Sequence, residues 1–263
     1  MKFKDQIIAI TGASSGIGMQ AAIDFSNNGA KTIILISRNI TKLNKVKEKI
    51  NPDCNVEIYP CDVSNKKMVT DMSNNILEKI GIVNILVNNA GIGIYGRVID
   101  QTIEDIEKVT STNYLGMIYC TKMFLPSMIK KNQGHIVNVA SLAASFGIPY
   151  MAAYCGSKFA MLGFSESLHH ELKNTNVGIT VVSPIAVRTN FFENESFKGK
   201  MPHKLGYILE AKTVSNAILK AAYSKRLEIV VPFFVRSAVW LKQTFPYLIN
   251  PIVSSAFKEE VKY

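Results

Sequence analysis

The chain has 263 residues, of which 48% are hydrophobic and 19% are charged, so it can bury a large α/β core. Its formal net charge of +10 suits an anionic ligand, an anionic membrane surface or a nucleic acid. The basic residues are scattered, with no zinc-ligand spacing and no RNA-binding signature, so we predict neither a nucleic-acid partner nor a metal site.

The first predicted element is a short apolar strand over residues 6–10, and not a targeting peptide. It leads into Thr11-Gly-Ala-Ser-Ser-Gly-Ile-Gly18, which opens a helix predicted over residues 17–28. Glycines allow a tight turn there and let backbone amides at the helix N-terminus approach a phosphate. The first gap in Gly12-x-x-x-Gly16-x-Gly18 is one residue longer than in the dinucleotide fingerprint, so an ordinary glycine-rich turn is the alternative. The strand before and the helix after it favour a dinucleotide site.

The second predicted strand, over residues 32–36, ends at Ser37, Arg38 and Asn39. In a βαβ dinucleotide site, an acidic residue at this strand end binds the ribose 2′-hydroxyl, whereas an arginine accommodates a 2′-phosphate. The strand end carries no acidic residue, so the sequence favours NADP over NAD. The alternative is that Arg38 is a solvated loop residue.

Strands and helices continue to alternate through the next part of the chain. Strands are predicted over residues 56–59 and 84–87, and helices over residues 41–50 and 65–80. This alternation predicts a doubly wound parallel α/β sheet with ligands at the carboxyl ends of its strands. The motif Asn88-Asn89-Ala90-Gly91 follows one such end.

Cysteine usage and hydropathy bear on location. The cysteines show no paired framework, which indicates a reducing compartment and a cytoplasmic location. No uncharged apolar run reaches about 18 residues, so no transmembrane helix is predicted. The four cysteines are Cys54, Cys61, Cys120 and Cys155.

A long helix is predicted over residues 151–173, and it carries Tyr154 and Lys158 one turn apart. Residues four apart lie on the same face of a helix, so the phenol and the ammonium can point into the same space. A neighbouring cation lowers the pKa of a tyrosine from about 10, which would let the pair exchange a proton near neutral pH. For the pair taken alone, the alternative is that tyrosine and lysine occur at this spacing by chance, as they do on many helices.

Three motifs in this order resemble the short-chain dehydrogenase/reductase family: Thr11 to Gly18, Asn88 to Gly91, and Tyr154-x-x-x-Lys158. The resemblance covers residues 4–232. It implies a single Rossmann-type domain of about seven strands over residues 1–232, with NADP as cofactor and hydride transfer that interconverts a carbonyl and a secondary alcohol. The implied cofactor-binding residues are Thr11, Gly12, Ser14, Ser15, Gly16, Ile17, Gly18, Ser37, Arg38, Asn39, Asp62, Val63, Asn89, Ala90, Gly91, Tyr154, Lys158, Pro184, Val187 and Thr189.

The resemblance also implies four catalytic residues, which are Asn113, Ser141, Tyr154 and Lys158. Ser141 follows a strand predicted over residues 134–140, and Asn113 lies in a helical stretch predicted over residues 103–130. By resemblance, Ser141 holds the substrate carbonyl and Tyr154 is the general acid in reduction. Lys158 lowers the tyrosine pKa and binds the nicotinamide ribose, while Asn113 helps to hold a water that relays the proton.

The segment Ser183-Pro-Ile-Ala-Val-Arg-Thr189 resembles the family segment that flanks the nicotinamide. Ile185 stands where the family usually has glycine, and only glycine tolerates a positive φ cheaply, so we expect the loop to follow a different path. Residues 190–209 are predicted to be a loop that covers the substrate, with His203 as a solvated residue. The remaining predicted elements are a strand over residues 179–182, a helix over residues 212–223 and a strand over residues 228–231.

Gly156, Ala160 and Gly163 place a stripe of small residues along the Tyr154 helix. Such a stripe lets another helix approach closely. It favours a two-fold homodimer, with a homotetramer left open, over packing of the stripe against the chain's own sheet.

Residues 233–263 form an apolar extension beyond the family domain, and only Arg236 and Lys242 are charged before residue 258. The extension either covers a subunit interface or the substrate cleft, or it lies in a membrane interface. The membrane alternative would place the protein at the periphery of a membrane and would imply a lipophilic substrate.

Two other functions remain as alternatives to a general reductase of small-molecule carbonyls. One is a 3-oxoacyl reductase that acts on carrier-bound chains. The other is a catalytically silent NADP sensor, which the presence of all four catalytic residue types disfavours.

Overall fold

Seven parallel strands form the central sheet of the structure, a computed structural model that describes residues 2–198 and 207–256. Numbered in chain order, the strands are β1 (Ile7–Thr11), β2 (Thr32–Ser37), β3 (Asn55–Pro60), β4 (Ile85–Asn88), β5 (Gly134–Val139), β6 (Val177–Pro184), β7 (Val187–Arg188), β8 (Leu209–Glu210) and β9 (Glu228–Val231). The order across the sheet is β3-β2-β1-β4-β5-β6-β9, and β7 pairs with β8 separately. The winding of the chain reverses between β1 and β4, so a crevice for a ligand is expected at their carboxyl ends.

Helices cover both faces of this sheet. They are α1 (Gly16–Asn27), α2 (Ile40–Lys47), α3 (Lys66–Lys79), α4 (Ile103–Thr110), α5 (Gly116–Lys131), α6 (Ala152–Glu171), α7 (Ala211–Ala221), α8 (Arg236–Thr244) and α9 (Pro246–Ala256). The core on one face contains side chains of α1, α2 and α7, and the core on the other contains side chains of α3, α5 and α6. On β1, Ile8 and Ile10 belong to the first core and Ala9 to the second, as a strand buried on both faces requires.

The predicted doubly wound sheet of seven strands is confirmed, and most predicted bounds lie within one or two residues of the observed ones. Local features differ in three places. The helical stretch predicted over residues 103–130 contains a π-helical turn at Ser111–Leu115. Helix α2 ends at Lys47 instead of residue 50. The small sheet of β7 and β8 was not predicted, because a strand of two residues leaves no periodic pattern in the sequence.

The loop and the extension predicted around the site are described only in part. After β7 the chain makes two short 3₁₀ turns, Asn190–Glu193 and Glu195–Phe197, while residues 199–206, which include His203, lie outside the described residues. After β9 a 3₁₀ turn, Phe233–Val235, leads into α8 and α9, and residues 257–263 again lie outside. Of the helices in the described ranges, none combines the length and apolar character needed to cross a membrane.

Candidate active site

The glycine-rich turn between β1 and α1 has a backbone that only glycine adopts readily. Gly12 and Gly16 have φ angles of +65° and +54°, in the left-handed region. A Cβ atom added to Gly12 would lie 2.8 Å from the Cα of Ala90, so the turn also lies directly against the segment after β4. Ser15, at the N-cap of α1, makes no side-chain hydrogen bond to the first helical turn within the described chain. The amides of that turn are therefore available to an anionic ligand.

Hydrogen bonds tie the carboxyl ends of β1 and β4 together beneath this turn. The backbone amides of Asn89 and Ala90 both donate to the Thr11 hydroxyl, at 2.9 and 3.0 Å. The Asn89 side-chain amide donates back to the Thr11 carbonyl at 3.0 Å. Because these groups are already paired, Thr11 and the side chain of Asn89 contribute to the site by fixing the shape of its floor.

Arg38 lies at the end of β2, next to the end of β3. Its Nη1 atom is 3.9 Å from Oδ2 of Asp62, and the Arg38 side chain is 64% exposed. Asp62 is held in place by Ser64, whose hydroxyl donates to it at 2.7 Å. An exposed ion pair of this length adds less than about 1 kcal/mol, so it leaves Arg38 free to pair with a ligand anion. The sequence did not predict this carboxylate beside Arg38, because it comes from a different strand.

A cavity of about 670 Å³ runs along these strand ends. It is lined by most of the predicted cofactor-binding residues: Gly12, Ser14, Ser15, Gly16, Ile17, Ser37, Arg38, Asn39, Asp62, Val63, Asn89, Ala90, Gly91 and Thr189. The predicted residues Thr11, Gly18, Pro184 and Val187 are buried beside it. Lining residues that were not predicted include Lys42, Thr112 and Phe191. Another cavity, of about 500 Å³, lies at the amino ends of the strands, and its lining contains none of the predicted site residues.

Tyr154 and Lys158, also predicted to bind the cofactor, are not among the residues that line this cavity but lie directly behind its lining residues Phe191 and Gly91. The Lys158 side chain is buried, with Nζ donating to the Val139 carbonyl at 2.9 Å and lying 5.7 Å from the centre of the Tyr154 ring. Ser141, just after β5, makes a side-chain hydrogen bond with Tyr154. Its hydroxyl also accepts from the Ala143 amide at 3.1 Å, which fixes its position. The structure thus brings together three of the four catalytic side chains that the resemblance implies.

Asn113 lies in the π-helical turn and is fully buried. Its Oδ1 atom accepts from the Ile92 amide at 2.8 Å, and its Nδ2 atom donates to the Ile92 carbonyl at 3.0 Å and to Ser157 at 2.9 Å. A Cβ atom on Gly91 would lie 3.4 Å from Asn113 Oδ1 and 3.6 Å from Lys158 Nζ, so the lack of a side chain there lets the cleft reach both groups. The side-chain amide of Asn113 is occupied by these contacts, and any water-holding role falls to its backbone.

Comparisons with known proteins agree with this geometry. A model of the short chain dehydrogenase family matches residues 6–198. Short-chain dehydrogenase/reductase family 16C member 6 of Bos taurus is 35% identical over an alignment of 245 residues, which covers 90% of this chain and 76% of that protein. The 17-beta-hydroxysteroid dehydrogenase 13 of Homo sapiens is 32% identical, covering 95% of this chain and 82% of that protein.

Solved structures share the fold over nearly the whole chain. A short chain dehydrogenase/reductase from Burkholderia phymatum in complex with NAD has a TM-score of 0.86 at 26% identity, covering 95% of this chain and 96% of that one. An alcohol dehydrogenase from Thermococcus sibiricus, complexed with 5-hydroxy-NADP, has a TM-score of 0.77 at 26% identity, covering 87% and 96%. The chain belongs to the short-chain dehydrogenase/reductase family. It is accordingly an oxidoreductase with a Rossmann-type fold.

This short-chain dehydrogenase/reductase departs from the family pattern at Ile185, which stands where glycine is usual. Ile185 does not have a positive φ angle, and its amide donates to the Val231 carbonyl at 3.0 Å. The bond extends the β6–β9 pairing by one residue, so the backbone stays extended and a branched side chain is tolerated. Thr189 still reaches the glycine turn, since a Cβ atom on Gly16 would lie 2.9 Å from its methyl group. Ile185 therefore avoids the positive φ that glycine tolerates, and a loop path different from that of the family stays a prediction.

Phe191 is the part of the site that sequence reasoning missed. Its ring lies edge-on to Tyr154, with centroids 5.4 Å apart, and a Cβ atom on Gly93 would meet its Cζ atom at 2.5 Å. Tyr95 and Phe197 belong to the same apolar cluster. The apolar Phe191-Phe192 pair within the otherwise polar loop was the available signal, but only the folded chain shows that it packs on Tyr154.

Burial shifts the pKa values of Tyr154 and Lys158 in opposite directions. It raises the pKa of Tyr154 to about 12, although the hydrogen bond with Ser141 opposes the shift. It lowers the pKa of Lys158 to about 7. Both shifts have one cause, the poor solvation of a charged group in this corner of the protein. In the chain by itself the pKa of Tyr154 thus lies above its ordinary value because burial disfavours the phenolate, and a lowering of that pKa by Lys158 stays a prediction.

Lys158→Met should change the pH dependence of stability. The Lys158 pKa is lowered to about 7 from an ordinary 10.5, so between these values the unfolded chain binds more protons than the folded one. The free energy of unfolding of the wild type therefore rises by up to about 1.4 kcal/mol per pH unit across that window because of this lysine. Below about pH 7 the full cost of burying a charged Lys158 destabilises the folded chain. In urea unfolding, we expect the stability advantage of the variant to shrink as pH rises from about 7 to about 9. The matched control is Lys122→Met on an exposed part of α5, and a constant advantage over this range would contradict the shifted pKa.

Proposed function

We propose that this protein is an NADP-dependent oxidoreductase that interconverts a carbonyl and a secondary alcohol, working mainly as a reductase. The observation that carries the proposal is the hydrogen-bonded pair of Ser141 and Tyr154 hydroxyls at the end of the cleft, with buried Lys158 behind it. Two hydroxyl donors directed at one carbonyl oxygen would stabilise the negative charge that develops there. The proposal is tested by following NADPH oxidation with a panel of ketones, acyl thioesters and lipid carbonyls, and no turnover with any of them would count against it.

The cleft fits a nicotinamide dinucleotide. The left-handed glycines of the first turn and the uncapped amides of α1 suit a pyrophosphate, and Gly91 leaves space in front of Lys158 and Asn113. The relatives with solved structures include one complexed with NAD and one with 5-hydroxy-NADP. When bound, the cofactor supplies the hydride.

The protein's own residues would manage the proton. With a pKa of about 12, Tyr154 is neutral at physiological pH, which is the form that can donate to a carbonyl oxygen during reduction. The Ser141 hydroxyl would bind that carbonyl oxygen and also take part in the hydrogen bond with Tyr154. With a pKa of about 7, Lys158 can exist in either protonation state near neutrality, so it is suited to return a proton towards Tyr154.

NADP is favoured over NAD by the cations beside the end of β2. Arg38 and Lys42 both line the cleft there, and the nearby Asp62 engages Arg38 only at 3.9 Å. A 2′-phosphate would give Arg38 a shorter, charge-assisted contact than the one it has in the protein alone.

Arg38→Asp should weaken NADPH binding by at least about tenfold and leave NADH binding nearly unchanged. A hydrogen bond to a charged group contributes about 1.5–3 kcal/mol, and the substitution also places a second carboxylate near Asp62. Dissociation constants for both cofactors, measured by nucleotide fluorescence, check this. Arg226→Asp makes the same charge change on an exposed residue just before β9, at the other edge of the sheet, and should affect neither cofactor. A wild-type preference for NADH would contradict the assignment of Arg38.

A lipophilic substrate is favoured over a polar one by the aromatic residues next to Tyr154. Phe191, Phe192 and Tyr95 pack in one cluster with it, so the substrate side of the cleft is largely apolar. A 3-oxoacyl reductase remains the second candidate, because an acyl chain would also suit this cluster. The thioester arm of the substrate panel separates the two.

A homodimer or homotetramer is the proposed assembly, in a cytoplasmic location. Gly156 and Gly163 are exposed, and a Cβ atom on either would have no described atom within 4 Å. The small-residue stripe therefore does not pack against the chain's own sheet, and a partner helix can approach it closely. The mass of the purified protein from light scattering distinguishes monomer, dimer and tetramer.

A further inference from the structure

The C-terminal extension packs against the domain beside α6. Val239 of α8 is buried, and Lys242 lies over two aromatic rings, 5.6 Å from the centre of Phe159 and 6.0 Å from that of Phe146. Phe159 directly follows Lys158 in the sequence, and Phe146 lies in the segment after Ser141. One side of α8 is thus attached to the domain near its catalytic end.

The outward side of the extension is apolar and exposed. Trp240 is 60% exposed, Tyr247 is 90% exposed and Leu248 is 68% exposed. Large side chains are seldom exposed in such density on a surface that stays in water. We define the tail surface by its exposed members, which are Phe233, Phe234, Trp240, Leu241, Phe245, Tyr247, Leu248 and Ile252.

The charges of the extension distinguish between two partners that could cover the tail surface, a second copy of the chain and a lipid surface. Arg236 and Lys242 are the only charged residues in the sequence from 233 to 256, and both are cationic. A two-fold contact through the tail surface would bring Arg236 to the same surface of another copy, where residues 233–256 offer no carboxylate, while Lys242 is directed at the domain. An anionic lipid surface offers the exposed Arg236 a counter-charge and also accepts the apolar side chains.

We propose that the tail surface binds an anionic membrane, lying in the interface without crossing it. Trp240 and Tyr247 would lie at headgroup depth, where amphipathic aromatic rings are favoured, with Leu248 and Ile252 directed towards the acyl chains. Helices α8 and α9 are too short to span a bilayer, which needs about 20 residues. Taken together with the proposed function, this orientation implies a lipophilic substrate that reaches the catalytic end from the membrane.

Trp240 makes the test specific, because it is the only tryptophan in the chain. On addition of phosphatidylserine-containing vesicles to the full-length protein, we expect a blue shift of its emission and quenching by lipids brominated near the headgroup. The protein should also float with these vesicles and bind phosphatidylcholine vesicles at least tenfold more weakly. The absence of flotation or of any change in Trp240 emission would overturn the proposal.

Two sets of variants distinguish lipid binding by the tail surface from a contact between copies of the chain. Phe234→Asp combined with Leu248→Asp should reduce vesicle binding at least tenfold, whereas Ile99→Asp, at a residue that is 86% exposed elsewhere, should not. Arg236→Glu should weaken binding to anionic vesicles more than Arg226→Glu does. If the Phe234/Leu248 variant binds vesicles normally, or instead converts an oligomer into a monomer, the tail surface is not the lipid contact. Activity on a water-soluble ketone should persist in all of these variants. An absence of turnover would therefore count against the proposed function and not against membrane binding.

Discussion

Tyr154→Phe is expected to lower turnover at least about a hundredfold and to leave NADPH affinity largely unchanged. The substitution removes only the hydroxyl, so the edge-on contact with Phe191 and the packing around α6 should persist. Without that hydroxyl, Ser141 is the only side chain of the pair that can donate to a carbonyl oxygen, and Lys158 loses the phenol through which it would return a proton. Steady-state rates of NADPH oxidation, together with cofactor titration, provide the measurement.

The matched control for this variant is Tyr247→Phe, which makes the same chemical change at a tyrosine that is 90% exposed in the C-terminal extension. It should leave turnover on a water-soluble substrate unchanged. Near-normal turnover of Tyr154→Phe would show that the proton comes from another group, and the mechanism would then have to be abandoned. A parallel loss of NADPH binding would point instead to disruption of the cleft.

The features that could be predicted from the sequence are those set by neighbours in the chain. The glycines of the first turn and the Tyr154–Lys158 spacing lie within single local motifs, and buried strands show as short apolar runs. Because the carboxyl ends of parallel strands meet at one edge of the sheet, the order of these motifs was enough to bring them into one cleft.

The features that could not be predicted depend on segments far apart in the chain. Asp62 approaches Arg38 only because β2 and β3 are adjacent, and Phe191 packs on Tyr154 only because the loop after β7 folds back over α6. The lowered pKa of Lys158 has the same origin, since its burial results from packing across the whole site. The pairing of Ile185 with β9 is likewise not visible in the local sequence, because the two segments are far apart in the chain.

Gly18→Ala is expected to weaken cofactor binding at least thirtyfold, equivalent to about 2 kcal/mol. A Cβ atom at this position would lie 2.5 Å from Nδ2 of Asn89 and closer still to the Gly12 carbonyl oxygen. Neither group can move away freely, because Asn89 donates to the Thr11 carbonyl and thereby ties β4 to β1. Overpacking of a fixed site typically costs about 1–3 kcal/mol, and here the strain falls on the turn that shapes the pyrophosphate site. Isothermal titration with NADPH measures the affinity, and thermal unfolding followed by far-UV circular dichroism verifies the fold.

Gly163→Ala is the matched control for this variant, because its added methyl group would meet no described atom within 4 Å. It should preserve NADPH affinity, because Gly163 is not among the residues that line the cleft. If Gly18→Ala does not fold, Gly16→Ala provides a second test, since its methyl group would lie 2.9 Å from Thr189 Cγ2 and its backbone would have to keep a φ of +54°. Thr189→Ser removes that methyl and should restore part of the affinity lost in Gly16→Ala. Unchanged NADPH affinity in a folded Gly18→Ala variant would mean that the cofactor does not bind against this turn.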